Sequence, residues 1–249
     1  MSPETVRDHH PEAIITTDDL AACLDDVDLR VYDCTVYLHQ RESGPDAPYI
    51  VESGRADYDA GHIPGSGFLD IAEELSDPDA VTRFMMPSPE RFAAAVGAQG
   101  LGDGGRVVLY CRVTPQWATR AWWMLRAMGF DAAVLEGGFD KWRDEGRPLS
   151  TEPATYPPAT FTPRPRNDLF VGRDGVEAAI GDSGTVTINA LLPALHRGDS
   201  GRYGRPGRIP GSVNVPMVDF FDAETKAFAD LAAVEARLAE AGVSADKKV

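Results

Sequence analysis

A short apolar run, a cysteine, a tight turn and an apolar helix follow one another in this chain and constrain its fold more than any other stretch. The run covers 107–110, the cysteine is Cys111, and a helix is predicted over 117–128. Apolar residues with β-branched members are typical of a buried parallel strand, and a strand that leads directly into a helix is a building unit of α/β folds. The free amides and the dipole of the helix would favour a thiolate at Cys111. Cys111 is therefore a candidate nucleophile, and the alternative is a small buried hydrophobic residue.

Strands and helices are predicted to alternate along the chain. The strands are predicted at 29–34, 106–110 and 134–135, and the helices begin near Thr17, Ser88, Trp117 and Phe139. Ser88 is a cap residue followed by proline, and Gly100 and Gly129 are placed to end helices. This alternation predicts a mostly parallel sheet with helices on both faces, so the fold class is α/β.

A six-residue motif occurs twice. Residues 61–66 read Gly-His-Ile-Pro-Gly-Ser and residues 207–212 read Gly-Arg-Ile-Pro-Gly-Ser, so five of the six positions match. Such a repeat indicates a duplicated domain. Between the copies, 148–166 is rich in proline and is predicted to be a semi-rigid linker. The predicted organisation is an N-terminal domain over 14–147, this linker, and a second domain over 167–249 with a strand at 185–190.

The spacing of the two copies predicts how far the second domain extends. It places Lys248-Val249 opposite Arg106-Val107, where the first domain enters the strand that carries its cysteine. We therefore expect the second domain to be incomplete, with an unpaired sheet edge.

The charge and the cysteines of the chain bear on its partners and its location. There are 24 Lys and Arg residues against 39 Asp and Glu, a net charge of −15, which disfavours nucleic acid and anionic membranes as partners. No segment approaches the roughly 18 to 20 apolar residues that cross a bilayer, and no signal-peptide pattern is present. Cys23, Cys34 and Cys111 are too widely spaced for a metal site and odd in number. A cytoplasmic protein with free thiols and no bound metal is expected.

The ordered combination of motifs resembles a known family. The motifs are Val-Val-Leu-Tyr-Cys-Arg at 107–112, the tryptophan-rich helix at 117–123, Leu-Glu-Gly-Gly at 135–138 with Trp142, and both Gly-x-Ile-Pro-Gly-Ser turns. Over 14–249 the chain is similar to the rhodanese superfamily, and most of all to its tandem-domain thiosulfate and 3-mercaptopyruvate sulfurtransferases. The resemblance implies two rhodanese-like domains, each a small mostly parallel sheet with helices on both faces, the second apparently truncated.

The same resemblance implies an activity. A sulfane sulfur would pass from a small anionic donor, thiosulfate or 3-mercaptopyruvate, through a cysteine persulfide to cyanide, a thiol or a protein acceptor, and no cofactor is expected. Cys111 stands at the position of the catalytic cysteine, and Arg112 matches the arginine that usually follows it. In the tandem proteins the C-terminal domain usually holds the active cysteine. A cysteine beyond Val249 would then be the main nucleophile and Cys111 a second site.

Substrate-binding residues follow from the same resemblance. The active loop of the family reads Cys-Arg-x-Gly-x-Arg or Thr, whereas Thr114 stands here at the glycine and Gln116 at the last position. Arg112, Thr114 and Gln116 are the expected binding residues of the loop. Thr114 and the stiff Pro115 make it harder for loop amides to converge on the sulfur, which predicts reduced activity. The loop before the second motif adds two expected anion-binding residues, Arg197 and Arg202.

Two other functions fit parts of the pattern. Phosphatases of this fold need an arginine at a fixed distance after the cysteine, and Trp117 stands at that position here, which disfavours phosphate chemistry. The second alternative is a rhodanese-fold module that binds partners or carries sulfur without turnover. The altered loop at 114–116 leaves this alternative open.

Overall fold

The computed structural model describes residues 13–40, 49–154, 156–203 and 205–249. The chain divides into two units, one made of residues up to 36 together with 53–166, the other of 37–52 and 167–249. The strands of the described residues are β1 (Ile14–Ile15), β2 (Leu29–Asp33), β3 (Val36–Gln40), β4 (Tyr49–Ser53), β5 (Gly67–Phe68), β6 (Arg106–Tyr110), β7 (Ala133–Leu135), β8 (Ile188–Asn189) and β9 (Val213–Asn214). The helices are α1 (Thr17–Cys23), α2 (Arg55–Ala60), α3 (Pro89–Ala98), α4 (Gln116–Ala127), α5 (Gly138–Asp144), α6 (Arg173–Ala179), α7 (Pro193–Arg197) and α8 (Leu231–Glu240).

The first unit is built around a five-stranded sheet whose strands all run parallel. Their spatial order is β1, β7, β6, β2, β5. β6 therefore lies at the centre of the sheet, and its neighbour β2 pairs with it from Leu29 opposite Arg106 to Asp33 opposite Tyr110. Strand β6 has the bounds predicted from the sequence, and the carboxyl ends of β2 and β6 meet at one edge.

The two faces of this sheet are covered by different helices. Side chains alternate between the faces along a strand. On one face Val108 and Tyr110 belong to a core cluster with Leu20 of α1 and Trp142 of α5. On the other face the hydroxyl of Tyr32 donates to the carbonyl of Gln99 at the end of α3. The predicted α/β fold with helices on both faces is confirmed.

Local sequence signals set the helix ends. The hydroxyl of Ser88 accepts the N–H of Arg91 at 3.2 Å, with proline in the first turn of α3, as predicted. α1 begins at Thr17 as predicted, and its cap is Thr16, whose hydroxyl accepts the N–H of Asp19 at 3.1 Å. Gly129 follows α4 with a φ of +77°, a conformation that costs glycine little.

The proline-rich segment 148–166, predicted as a linker, lies along the first unit. The N–H of Ala159 donates to Gly97, that of Arg164 to Met128 and that of Arg166 to Ala127, at 2.7–2.9 Å. Phe161 is buried and its ring lies 5.7 Å from that of Phe92. Proline has no N–H to donate, so these bonds come from the other residues of the segment. The segment is therefore fixed to the first unit over much of its length.

The second unit contains a two-stranded parallel sheet, in which β8 pairs with β9, and the helices α6, α7 and α8. β3 and β4 form a separate two-stranded sheet. The strand predicted at 185–190 is shorter than expected, because its partner β9 has only two residues and Thr185 makes just an isolated bridge to Lys248. In neither unit does a described helix combine the length and the apolar character needed to cross a membrane.

Both copies of the repeated motif fold into the same turn. The carbonyl of Ile63 accepts the N–H of Ser66 at 3.0 Å, and the carbonyl of Ile209 accepts that of Ser212 at 3.1 Å. Gly65 and Gly211 have φ angles of +74° and +77°, which the third position of a type II turn requires. Each turn leads directly into a short parallel strand, β5 or β9.

The register of the two sheets repeats as well. The side-chain Oδ1 atoms of Asp33 and Asn189 each accept the N–H two residues further on, at 2.9 Å. The N–H of Arg106 donates to the carbonyl of Asp28, and that of Lys248 donates to the carbonyl of Gly184. Lys248 therefore occupies the place in the second unit that Arg106 occupies in the first, which supports a duplicated domain.

Candidate active site around Cys111

Cys111 directly follows β6 and faces the start of α4. Its Sγ–H donates to the carbonyl of Thr114 at 2.8 Å, and its sulfur accepts the N–H of Ala118 at 3.4 Å. Ala118 lies in the first turn of α4, where amides have no partner within the helix. The arrangement of strand, cysteine and helix N-terminus expected from the sequence is therefore present.

The ionisation of Cys111 differs from the expected thiolate. Its side chain is only 4% exposed, and burial raises the pKa of the thiol to about 12. The amides of Ala118 and Trp117 lower this pKa, whereas the carboxylates of Asp33 and Asp140 raise it further. The sequence showed the helix amides but neither the burial nor the two carboxylates. In this conformation Cys111 is a protonated thiol.

The loop after Cys111 is closed by its own backbone. Val113 has a φ of +69°, and the N–H of Thr114 donates to the carbonyl of Arg112 at 2.8 Å. The N–H of Val113 donates to Oδ2 of Asp140 at 3.0 Å. Gln116 is the first residue of α4, and its carbonyl accepts the Thr119 hydroxyl at 3.0 Å.

The side chain of Arg112 contacts backbone carbonyls, an aromatic ring and a buried carboxyl group of the first unit. Its Nη2 donates to the carbonyls of Asp57 and Gly61 at 3.0 and 2.5 Å, and its guanidinium lies 3.6 Å from the centre of the Phe139 ring. Its Nε lies 3.6 Å from Oδ2 of the fully buried Asp33. Arg112 therefore bonds to backbone carbonyls and pairs with Asp33.

Two residues of this site, Thr35 and Asp140, were not predicted from the sequence. The Thr35 hydroxyl donates to Asp33 at 2.5 Å and accepts the N–H of Arg112 at 3.1 Å. Its position just after β2 was a usable signal, because neighbouring parallel strands end at the same edge of a sheet. Asp140 lies on α5, and no local pattern connects it to the Cys111 loop.

The two arginines predicted for anion binding lie in the second unit. Arg197 ends α7, and its Nε donates to Oδ2 of Asp199 at 2.8 Å. The backbone N–H of Arg202 donates to the Ser200 hydroxyl at 3.3 Å. Their role toward a donor anion remains a prediction.

The first residue of α5 packs closely against the backbone of Cys111. Gly138 has a φ of +58°, and a Cβ placed there would lie 2.4 Å from the carbonyl oxygen of Cys111. We expect Gly138→Ala to lower the free energy of unfolding by about 2–3 kcal/mol, because both the conformation and the contact oppose a side chain. Denaturant unfolding followed by tryptophan fluorescence measures this, since Trp117, Trp122, Trp123 and Trp142 all lie in the first unit.

Gly146 offers a matched control for this substitution. Its φ is +69°, yet a Cβ there would meet nothing within 4 Å. Gly146→Ala should therefore cost only about 1 kcal/mol. Equal losses in the two variants would contradict the close packing of Gly138 on Cys111.

Burial also sets the ionisation of Asp33. Desolvation raises its pKa to about 6 from the ordinary value of 3.8, and the bonds from Thr35 and the charge of Arg112 offset part of this rise. The folded state thus binds the Asp33 proton more tightly than the unfolded chain does. The contribution of Asp33 to the free energy of unfolding is therefore greatest below a pH of about 4, and it is lost as the pH rises through about 6.

The pH dependence of Asp33→Asn tests this ionisation, since asparagine does not titrate. The unfolding free energy of the wild type relative to the variant should fall by at most about 3 kcal/mol between pH 4 and 7. Denaturant titrations of both proteins across this range give the difference. A difference that does not change with pH would show that the pKa of Asp33 is not raised.

The chain matches known proteins along most of its length. Residues 16–145 match the model of the rhodanese-like domain. The chain is 32% identical over 196 residues to thiosulfate sulfurtransferase of Gallus gallus, an alignment that covers 77% of this chain and 64% of that protein. It is 31% identical over 220 residues to a sulfur carrier protein of Thermus thermophilus, covering 83% of this chain and 70% of that protein.

A solved structure shows the same architecture. The crystal structure of SseA from Escherichia coli, described for the rhodanese fold and catalytic mechanism of 3-mercaptopyruvate sulfotransferases, superposes with a TM-score of 0.78 at 27% identity. The superposition covers 94% of this chain and 86% of that one. With the parallel sheet, the strand-to-helix cysteine loop and the match over 16–145, these likenesses show that the chain belongs to the rhodanese-like family.

Proposed function

We propose that this chain transfers a sulfane sulfur from thiosulfate or 3-mercaptopyruvate to a thiophilic acceptor, with Cys111 as the persulfide carrier within it. The observation that best supports this proposal is the position of Cys111 at the end of the central strand, with an amide of α4 directed at its sulfur. The sulfurtransferase names of its relatives support this activity.

The proposed reaction has two steps. The Cys111 thiolate attacks the outer sulfur of thiosulfate, the S–S bond of the donor breaks, and sulfite leaves with the bonding electron pair. An acceptor such as cyanide or a thiolate then attacks the outer sulfur of the persulfide and regenerates the Cys111 thiolate. With 3-mercaptopyruvate, the leaving group is the pyruvate enolate, which takes up a proton.

The closed loop makes reaction at Cys111 depend on a conformational change. The thiol is buried, and its hydrogen bond to the Thr114 carbonyl stabilises the protonated form. Opening of the loop would expose the sulfur and leave it beside the amides of α4. In that open form, Thr114 and Gln116 are the proposed contacts to the donor. In the second unit, Arg197 and Arg202 are separately proposed to bind anions. Arg112 is proposed to act by holding the loop.

Mass spectrometry after incubation with thiosulfate tests the proposal. We expect the Cys111 peptide to gain about 32 Da, the mass of one sulfur atom, and to lose it on addition of cyanide with release of thiocyanate. An unchanged mass of this peptide would refute Cys111 as the carrier.

A second candidate function is sulfur carriage without turnover. The buried, protonated Cys111 favours it, and so does the likeness to a protein named as a sulfur carrier. Multiple turnovers of thiosulfate with cyanide identify an enzyme. A single equivalent of bound sulfur that leaves only to a protein acceptor identifies a carrier.

The free thiols and the net charge support a proposed cellular location and proposed partners. All three cysteines are free, which suits a reducing, cytoplasmic environment. The net charge of −15 suits neither nucleic acid nor anionic membrane as a partner. The proposed partners are a small anionic sulfur donor and a thiol, cyanide or protein acceptor.

A further inference from the structure

The turn at Val113 is strained. Its φ of +69° and the bond from the N–H of Thr114 to the carbonyl of Arg112 make 112–114 a γ-turn with a positive central φ. Such turns are rare, and a β-branched residue at their centre costs of order 1–3 kcal/mol. A conformation of this cost persists only where surrounding contacts hold it.

Asp140 supplies such a contact. Its Oδ2 accepts the N–H of Val113 at 3.0 Å, and its Oδ1 lies 3.0 Å from Nη1 of Arg143 on the same helix. The helix itself is fixed to the site, because the N–H of Phe139 donates to the carbonyl of Cys111 at 3.1 Å and Trp142 is fully buried. The carboxylate is therefore held at a set position relative to the loop.

The strained turn determines what faces the sulfur. It directs the carbonyl of Thr114 at Sγ of Cys111, at 2.8 Å, and the N–H of Ala118 lies 3.4 Å from the same sulfur. A carbonyl acceptor stabilises the thiol, and an N–H donor stabilises the thiolate. Loss of the turn would remove the first of these contacts and keep the second.

We propose that Asp140 is a positioning residue that keeps the Cys111 loop closed, since its bond to the Val113 N–H holds the strained turn that places the Thr114 carbonyl on the sulfur. The inference rests on the proposed function in that it names what controls the reactivity of the proposed carrier. The acidic and thiol groups that act on Cys111 are Asp33 and Cys34 from the β2 side and Asp140 from α5. Of these, Asp140 is the one bonded to the loop backbone.

The alkylation rate of Cys111 as a function of pH tests this proposal. Iodoacetamide is the probe, and the Cys111 peptide is quantified by mass spectrometry. We expect Asp140→Ala to react about tenfold faster near neutral pH, with its pH midpoint shifted down, because the charge-assisted bond to Val113 is lost. Asp140→Asn should restore most of the protection, because its amide oxygen can still accept the Val113 N–H.

The asparagine variant separates positioning from charge. It removes the negative charge as fully as alanine does, so equal acceleration in both variants would overturn the proposal in favour of simple electrostatics. Asp144→Ala is the matched control on the same helix, since Asp144 also pairs with Arg143 at 2.8 Å and should leave the alkylation rate unchanged.

A second variant breaks the same bond from the loop side. Val113→Pro keeps Asp140 intact but removes the N–H and forbids a positive φ, so it should accelerate alkylation as Asp140→Ala does. An alkylation rate of Val113→Pro equal to that of the wild type would overturn the proposal.

The alkylation rate and the uptake of sulfur are independent readouts. Faster alkylation without any gain of sulfur from thiosulfate would refute the proposed function alone. Sulfur uptake without faster alkylation would refute the closed-loop role of Asp140 alone.

Discussion

Replacing Cys111 by serine is expected to abolish sulfur uptake from thiosulfate by this chain. A serine hydroxyl is far less acidic and less nucleophilic than a thiol, and it cannot form a persulfide. Serine nevertheless fits the site, because its hydroxyl can donate to the Thr114 carbonyl and accept from Ala118 as the thiol does. The variant should thus keep its fold and lose the gain of about 32 Da completely.

Cys23→Ser is the matched control for this experiment. Cys23 is a half-buried thiol whose Sγ–H donates to the carbonyl of Leu20 at 3.5 Å, away from the Cys111 loop. The control should take up sulfur like the wild type. A mass gain that persists in Cys111→Ser would assign the persulfide to another cysteine and contradict the proposal.

Local chemistry explains why part of the site could be predicted from the sequence. The run 107–110 has the apolar, β-branched composition of a buried strand, and the helix that follows Pro115 has an apolar face. The position of Cys111 between them follows from adjacent residues alone. The two Gly-x-Ile-Pro-Gly-Ser turns were equally predictable, since proline and glycine at those positions fix a type II turn.

The ionisation of the site depends on residues that are distant in sequence, and it differs from the predicted thiolate. A helix N-terminus beside a cysteine predicts a thiolate, but burial and the carboxylates of Asp33 and Asp140 raise the pKa of Cys111 instead. Asp33 comes from β2 and Asp140 from α5, so their effect appears only once strand order and helix packing are known. The resemblance to the rhodanese superfamily also implied Arg112 as a substrate-binding residue, and that role stays a prediction.

The structural position of Arg112 leads to the largest expected loss of stability. Arg112→Ala would leave Asp33 buried without a countercharge, remove the donors to the carbonyls of Asp57 and Gly61, and remove the guanidinium from the Phe139 ring. Removing one partner of a buried ion pair typically costs 3–5 kcal/mol, and we expect a loss of about this size in the first unit at neutral pH. Tryptophan fluorescence during denaturant unfolding measures it.

Two comparisons distinguish this structural role of Arg112 from substrate binding. Arg55→Ala removes an exposed arginine paired with Asp59 at 2.9 Å, and it should cost less than about 1 kcal/mol. The loss in Arg112→Ala should also shrink below a pH of about 6, because Asp33 is then protonated and needs no countercharge. If Arg112 bound only the donor anion, Arg112→Ala would unfold like the wild type at every pH and would lose sulfur uptake alone. The ion pair with Asp33 therefore predicts that stability and its pH dependence change together in this variant.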